Sequence, residues 1–437
     1  MRVLLLQGQS VYDPSSGAAQ SMRQMAESLA LAGCEVRSLA TTGCENGAPA
    51  AHLQPVLARL NIDPAGVLDR LPGAWLDLDD RGVRHHLLIT EPARRHQWAL
   101  DHGPAFERQW LELLAGFSPQ VVLTFGLDDG DLRRRVQARQ AGARVVMVLH
   151  NLVAAAGPSP AEVDAFWVPS AFMHERHLQA WGHGAPLTTV PTPLGSYLQA
   201  PGGQEIDERV FVTFVNPEPA KGVAVVAGLV QRWLESRPGQ PVLIVEGRAR
   251  ADQWFSALQR YGVSPSRCEQ VFVSPSRDDL SAVWASSRVV LMPSLVDEAA
   301  GRVALEAMLN GVVPVVSDRG ALPETVDDAG CVVPLPEALH WQNTSPVVGD
   351  AVSEAWDQAV SRLLDDDEAW QEASARSMQH AQAHLDTRVG PLYRRLLDEL
   401  LSRPATAAWQ WLTPPPAPAP AESRSARRRS PESRAPT

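Results

Sequence analysis

The stretch from residue 288 to residue 316 limits the possible folds more than any other. Residues 288–292, Arg-Val-Val-Leu-Met, predict a buried strand, and Pro293, Ser294 and a loop holding Gly301 follow. An apolar helix comes next, stopped by Gly311, and residues 312–316 predict a second strand. Strand, helix and strand at this spacing form the unit of a parallel sheet. The junction of glycine loop and helix start is also where phosphates bind, because the first amides of a helix have no partner within it.

The same alternation fills most of the chain. Residues 2–6, 17–32 and 35–40 predict a strand, a helix stopped by Gly33 and a strand, and residues 120–125, 131–141, 144–149 and 165–168 resume the pattern. Residues 210–215, 223–234, 241–246, 251–261, 269–273 and 278–286 repeat it ahead of the stretch at 288. The expectation is an α/β protein with two Rossmann-like domains, residues 1–200 and 201–384, repeated in fold type but not residue by residue. Residues 46–102 carry Pro, Gly and Arg interruptions, including Arg94-Arg95-His96, and show no assignable period. Residues 385–403 predict a final helix, and residues 404–437 are too rich in Pro, Ala, Ser and Arg to bury a core, so a disordered tail is expected.

A formal net charge of -11 argues against a nucleic-acid partner, since phosphate backbones demand a basic face. Cys34, Cys44, Cys268 and Cys331 lack metal-ligand spacing, which fits a reduced, cytoplasmic protein. The opening residues Met-Arg-Val-Leu-Leu-Leu read as a first strand rather than a signal peptide. No run reaches the ~18 to 20 apolar residues of a transmembrane helix, so any membrane contact is peripheral; Arg427-Arg428-Arg429 reads first as a solvated charge block and second as a contact for an anionic membrane.

Two acids in the key stretch, Glu298 and Glu306, are eight positions apart. On one helix they would be roughly 12 Å apart along the axis and about 80° apart around it. Hydrolytic carboxylate pairs sit roughly 5 to 9.5 Å apart, so a glycosidase pair is disfavoured. With Glu298 in the loop and Glu306 in the helix, they can instead bracket a molecule as long as a nucleotide diphosphate-sugar. One carboxylate would grip sugar hydroxyls and the other ribose hydroxyls.

The run from Pro293 through Glu306, followed by Gly311-Val-Val-Pro-Val-Val-Ser-Asp-Arg-Gly-Ala-Leu-Pro-Glu324, resembles in order and spacing the signature of family 4 retaining glycosyltransferases of GT-B fold. The resemblance implies that Glu298 binds the donor sugar and Glu306 the ribose. It also implies that the backbone of Ala300, Gly301, Arg302 and Val303 faces the diphosphate. The family usually has Gly-Phe after the first acid; here Ala299-Ala300 removes an aromatic wall. Upstream, Asn216-Pro-Glu-Pro-Ala-Lys221-Gly222 follows a strand, and the family places a Lys-Gly pair there, aimed at phosphate. Its frequent arginine six residues before the lysine is Val215 in this chain, and Arg248 or Arg302 would supply the missing cation. Arg248 reads about as well as an exposed ion-pair partner.

Cations are needed because the leaving diphosphate gains negative charge as the glycosidic bond breaks. No metal and no cofactor are then expected. His150 ends a predicted strand, at the edge where ligands sit in doubly wound folds. Many family members have a histidine there, near the transferring sugar; the alternative is a histidine that caps the neighbouring loop. Gly17 corresponds to the family's small-residue loop near the donor phosphates, or is a simple helix start. In the family the final helices cross back onto the N-terminal, acceptor-binding domain and act as a hinge, while the second domain binds the nucleotide-sugar.

The resemblance thus implies a retaining, metal-independent glycosyltransferase using a UDP- or GDP-type donor, with donor base, acceptor and oligomeric state unread. Competing readings are a non-catalytic sugar-nucleotide-binding protein, favoured by Ala299-Ala300 and Val215, and a GT-B epimerase or phosphorylase. A dinucleotide oxidoreductase is weakened because no Gly-x-Gly-x-x-Gly follows the first strand.

Overall fold

The computed structural model describes residues 1–44, 49–68, 72–90, 101–152, 162–182, 185–200, 208–277, 279–343 and 347–404. The tail expected beyond Pro404 and the Arg94-Arg95-His96 cluster lie outside these residues.

The first sheet contains β1 (Arg2–Leu6), β2 (Glu35–Thr41), β3 (Trp75–Asp80), β4 (Val83–Leu88), β5 (Val121–Thr124), β6 (Arg144–Val148), β7 (Ala165–Val168) and β8 (Leu187–Thr189), in the order β3-β4-β2-β1-β5-β6-β7-β8. All neighbours are parallel except β3 and β4. The second sheet contains β9 (Phe211–Val215), β10 (Val242–Val245), β11 (Val271–Ser274), β12 (Ser287–Met292), β13 (Val313–Ser317) and β14 (Cys331–Val333), in the parallel order β11-β10-β9-β12-β13-β14.

The central strands are near-continuous apolar runs because both faces are covered. In β1, Val3 and Leu5 pack with Met22 and Leu29 of helix Gly17–Leu31, whereas Leu4 and Leu6 pack with Phe106 and Trp110 of helix Gly103–Gly116. In the second sheet, Phe214 and Leu291 face Trp233, Trp254 and Trp356, while Val245 and Val290 face Trp284. Each such buried side chain contributes about 1.5–3 kcal/mol by leaving water.

Both sheets reverse their winding at a central strand: β2 and β5 flank β1, and β10 and β12 flank β9. The loops leaving the carboxyl ends of those strands diverge and open a crevice. The chain crosses between the sheets twice, side by side. Leu194 N donates to His384 O at 2.8 Å, and Asp386 N donates to Leu194 O at 2.8 Å. Helix Asp386–Ser402 then returns to the first sheet's layer, burying Tyr393 and Leu397 beside Met25, and Arg394 donates to Ala32 O at 2.5 Å.

The region without an assignable period holds helices Pro49–Arg59 and Pro64–Leu68 and the hairpin β3–β4 turning at Arg81-Gly82. Pro55 interrupts the helical pattern, and β4 buries His85 and His86 where an apolar strand residue would normally stand. Among the described residues no helix is long and apolar enough to cross a membrane.

Candidate active site

Two adjoining hollows of about 1080 and 1230 Å³ form one cleft where the carboxyl ends of the two sheets meet. Ser15, Gly17, Lys221, Arg248, Glu298 and Arg302 line both. Asn216, Val303 and Glu306 line the first, and His150, Ala300 and Gly301 the second. The cleft therefore gathers every candidate residue read from the sequence.

Asn216 follows β9, and its backbone is left-handed (φ 62°). Its amide donates to Val245 O at 2.8 Å and its side-chain Oδ1 accepts from Ala249 N at 2.9 Å. Asn216 thus fastens the loop after β9 to the turn after β10, a structural task in addition to its place in the cleft wall. A single turn, Pro219–Lys221, leads to Gly222 at φ 86°, where a Cβ would lie 2.0 Å from Pro293 O. Only glycine permits that approach, which brings Lys221 against the loop after β12.

Lys221 Nζ donates to Glu298 Oε1 at 2.6 Å, and Ser294 Oγ donates to the same oxygen at 2.5 Å. The Glu298 backbone is anchored as well: Ala321 N donates to Glu298 O at 2.8 Å, in a bridge between Glu298 and Gly320. Burial pushes the Glu298 carboxyl up. The Lys221 charge, the hydrogen bonds from Lys221 and Ser294, and the more distant Arg248 outweigh it and hold the group below the ordinary carboxylate value. Glu298 is therefore ionised at neutral pH.

Glu306 lies buried on helix Arg302–Leu309, its Oε1 2.8 Å from Arg302 Nε. Arg302 also donates to Gln24 Oε1 at 3.0 Å, and to Ser21 Oγ and Pro193 O, both at 3.3 Å. Arg302, one of the two cations expected at the diphosphate, thus lines the cleft while its guanidinium also bonds to helix Gly17–Leu31. Arg248 pairs with Glu218 at 3.3 Å and keeps 41% of its side chain exposed at the cleft wall. Residues 300–303, which lead into helix Arg302–Leu309, line the same cleft.

Across the cleft, His150 follows β6 and meets the edge of the Phe125 ring at 5.5 Å. Burial, with a smaller push from the Arg302 charge, lowers its pKa to about 4, so the imidazole is neutral at pH 7. Its Nε2 is buried without a hydrogen-bond partner among the described residues. At Gly17 a Cβ would lie 3.9 Å from Arg302 Cδ, ordinary contact, so packing between the domains does not demand a glycine there. Ser294 and Glu218 escaped the sequence reading as site residues. Ser294 stood in the quoted Pro-Ser pair, but its bond to Glu298 depends on loop curvature that spacing does not reveal.

Residues 208–366 match the family model described as glycosyl transferases group 1. The fold is GT-B. The chain resembles sucrose-phosphate synthase from Thermosynechococcus elongatus over 91% of its length and 99% of that chain, at 18% identity and a TM-score of 0.63. It resembles the HepE protein of Anabaena, solved in complex with UDP-glucose, over 91% of its length and 100% of that chain, at 14% identity and a TM-score of 0.62. A D-inositol 3-phosphate glycosyltransferase of Corynebacterium kroppenstedtii is 27% identical over 157 residues, which are 34% of this chain and 31% of that relative. The chain thus matches about a third of the length of that curated relative.

Proposed function

We propose that the protein is a retaining glycosyltransferase of family 4 that takes a nucleotide diphosphate-sugar into the cleft and transfers the sugar to an acceptor hydroxyl. The observation that carries the reading is the Lys221–Glu298 pair at 2.6 Å, set beside the helix start whose Glu306 completes the acidic bracket. The match of residues 208–366 to group 1 glycosyl transferases supports it, as does the likeness to a fold solved with UDP-glucose.

In this reading Glu306 holds the ribose diol and Glu298 the sugar hydroxyls. Lys221 Nζ, Arg248 and the amides of Ala300 to Val303 face the diphosphate. These fixed charges and dipoles stabilise the negative charge that gathers on the leaving diphosphate, an effect worth about 3–4 kcal/mol for a single donor in other enzymes. The neutral His150 lies on the acceptor side of the reacting sugar, where an imidazole without charge does not repel an electron-poor anomeric carbon. The acceptor attacks from the face the diphosphate leaves, and a phosphate oxygen takes the acceptor's proton, so no protein base is assigned. Residues 1–200 would supply the acceptor site, and the work would be done in the cytoplasm without a metal.

The test is a screen of UDP-, GDP- and ADP-sugars with radiolabelled donor and a panel of acceptors, followed by anomeric analysis of the product by NMR. The reading expects transfer with retained configuration from one nucleotide class, lost in the Glu306→Ala variant. Nucleotide binding without turnover of any donor would favour the non-catalytic alternative, which Ala299-Ala300 and Val215 already suggest.

A further inference from the structure

Among the second-domain side chains that bond to the first domain, Arg302 and Glu324 reach its helices, while Asn310 and His384 hold the segment 192–200. Arg302 sits at the first position of helix Arg302–Leu309, half-buried, and its guanidinium donates to Ser21 and Gln24 of helix Gly17–Leu31 and to Pro193 O at the interdomain crossing. Gln24 is itself fully buried, and its Oε1 accepts a second bond, from Gly195 N at 3.2 Å. One amide oxygen therefore ties Arg302 to the segment that joins the domains.

Glu324 makes the second grip. Its carboxylate accepts from Ala171 N at 2.7 Å and Phe172 N at 3.1 Å, the opening amides of helix Ala171–Trp181 in the first domain. That helix already has its own cap, Ser170 Oγ accepting from Met173 N at 3.1 Å. Ser170 Oγ in turn donates to Ala299 O at 2.7 Å, next to Glu298. A helix start favours a carboxylate by its dipole and its unpaired amides, and here the carboxylate comes from the opposite domain.

We propose that Arg302 and Glu324 form a two-point clasp that holds the domains together over the donor, with Arg302 a positioning residue rather than a ligand of the diphosphate. Arg302 engages Glu306, the acid assigned to the ribose, while its other nitrogens hold the first domain. Occupation of the donor site and approach of the acceptor side are thereby joined through one side chain. Glu324, exposed to solvent, contributes a weaker and salt-sensitive grip. The role of Glu306 rests on the reading given under Proposed function; the clasp contacts themselves do not.

The experiment compares the full-length wild type with Arg302→Met, Arg302→Lys and Glu324→Ala, using three readouts: small-angle X-ray scattering, calorimetric titration of the best-binding nucleoside diphosphate, and steady-state kinetics. The clasp predicts a larger radius of gyration for Arg302→Met and, at raised salt, for Glu324→Ala. It predicts kcat lower by roughly tenfold or more for Arg302→Met, partial recovery in Arg302→Lys, and nucleotide affinity within about threefold of wild type. Glu324→Ala alters only an exposed carboxylate, so it tests the idea even if Arg302→Met fails to fold. Unchanged scattering in Glu324→Ala at raised salt and in both Arg302 variants would overturn the clasp. Nucleotide affinity falling in Arg302→Met as far as in Lys221→Ala would also overturn it, by making Arg302 a diphosphate ligand. Scattering needs no turnover, so a failed clasp and a failed glycosyltransferase reading give different patterns.

Discussion

The two domains open onto the cleft with the same reversal of winding at a central strand and opposite chemistry. The second domain presents paired charges, Lys221 with Glu298, Arg248 with Glu218 and Arg302 with Glu306. The first presents small and apolar surfaces, Ser15, Gly17, Val148, Val190 and Pro193, around a neutral His150. Its other titratable groups of note, His85 and His177, are likewise buried and held neutral. The difference teaches that fold and ligand chemistry are separable. A doubly wound sheet supplies the crevice in both halves, and short loop segments decide whether it is lined by paired charges or by small and apolar side chains.

Breaking the charged side should have the largest effect. Lys221→Ala removes a cation from the diphosphate and strips the partly buried Glu298 of its strongest partner, so kcat should fall about 100- to 1000-fold in a transfer assay. Glu306→Ala should follow, lowering kcat/KM by roughly 10- to 150-fold through lost charged hydrogen bonds to the ribose, with Arg302 left short of a partner. Loss from either variant no greater than that of alanine at the exposed Arg395 of helix Asp386–Ser402 would place the donor elsewhere.

Acid should break the neutral side instead. His85, bonded to Ser38 at 2.7 Å, has its pKa lowered to about 3 by burial, against Asp80, which raises it. A histidine held neutral in the fold gains its proton more readily when unfolded. Its contribution is therefore present above the ordinary value of about 6.5 and is lost as pH falls below it. Between pH 6.5 and 5 this one group should cost about 2 kcal/mol, and His150 acts in the same direction. Urea midpoints measured at pH 7 and pH 5 should differ less in His85→Gln than in wild type. An equal difference would remove His85 as the acid-sensitive group.

The smallest expected effect sharpens the comparison rather than breaking it. Val215 stands at the cleft wall where the resembled family often carries an arginine. Val215→Arg should tighten nucleoside diphosphate binding a few-fold, roughly the 0.5–1 kcal/mol of a partly exposed charge, read by calorimetry. Weaker binding would mean that Arg248 already fills that volume.

Legibility followed the same division. The strands that carry the charged side are continuous apolar runs, and their loops are short and contiguous, so residues 216–222 and 293–306 disclosed their chemistry through spacing. Partnerships across the cleft were not visible. Arg302 is near Glu306 in sequence, but its bond to Gln24 spans 278 positions, and only the packing of the two domains creates it. The hairpin Trp75–Asp80 with Val83–Leu88 escaped for a local reason: the alternation of Leu76 and Leu78 with aspartates was present, while buried His85 and His86 disguised its partner strand. Asn216, which opens the run expected to face the donor, also has a structural task that spacing did not disclose, through its left-handed backbone and its bond to Ala249.

The most direct measurement is calorimetric titration of UDP, GDP and ADP into wild type, Lys221→Ala, Glu306→Ala and His150→Ala. One nucleoside diphosphate should bind wild type saturably with one site per chain, at least tenfold more weakly in Lys221→Ala and Glu306→Ala, and with wild-type affinity in His150→Ala. Binding of that nucleotide undiminished in both Lys221→Ala and Glu306→Ala would contradict an activated sugar stretched between the two acids with its diphosphate on the lysine.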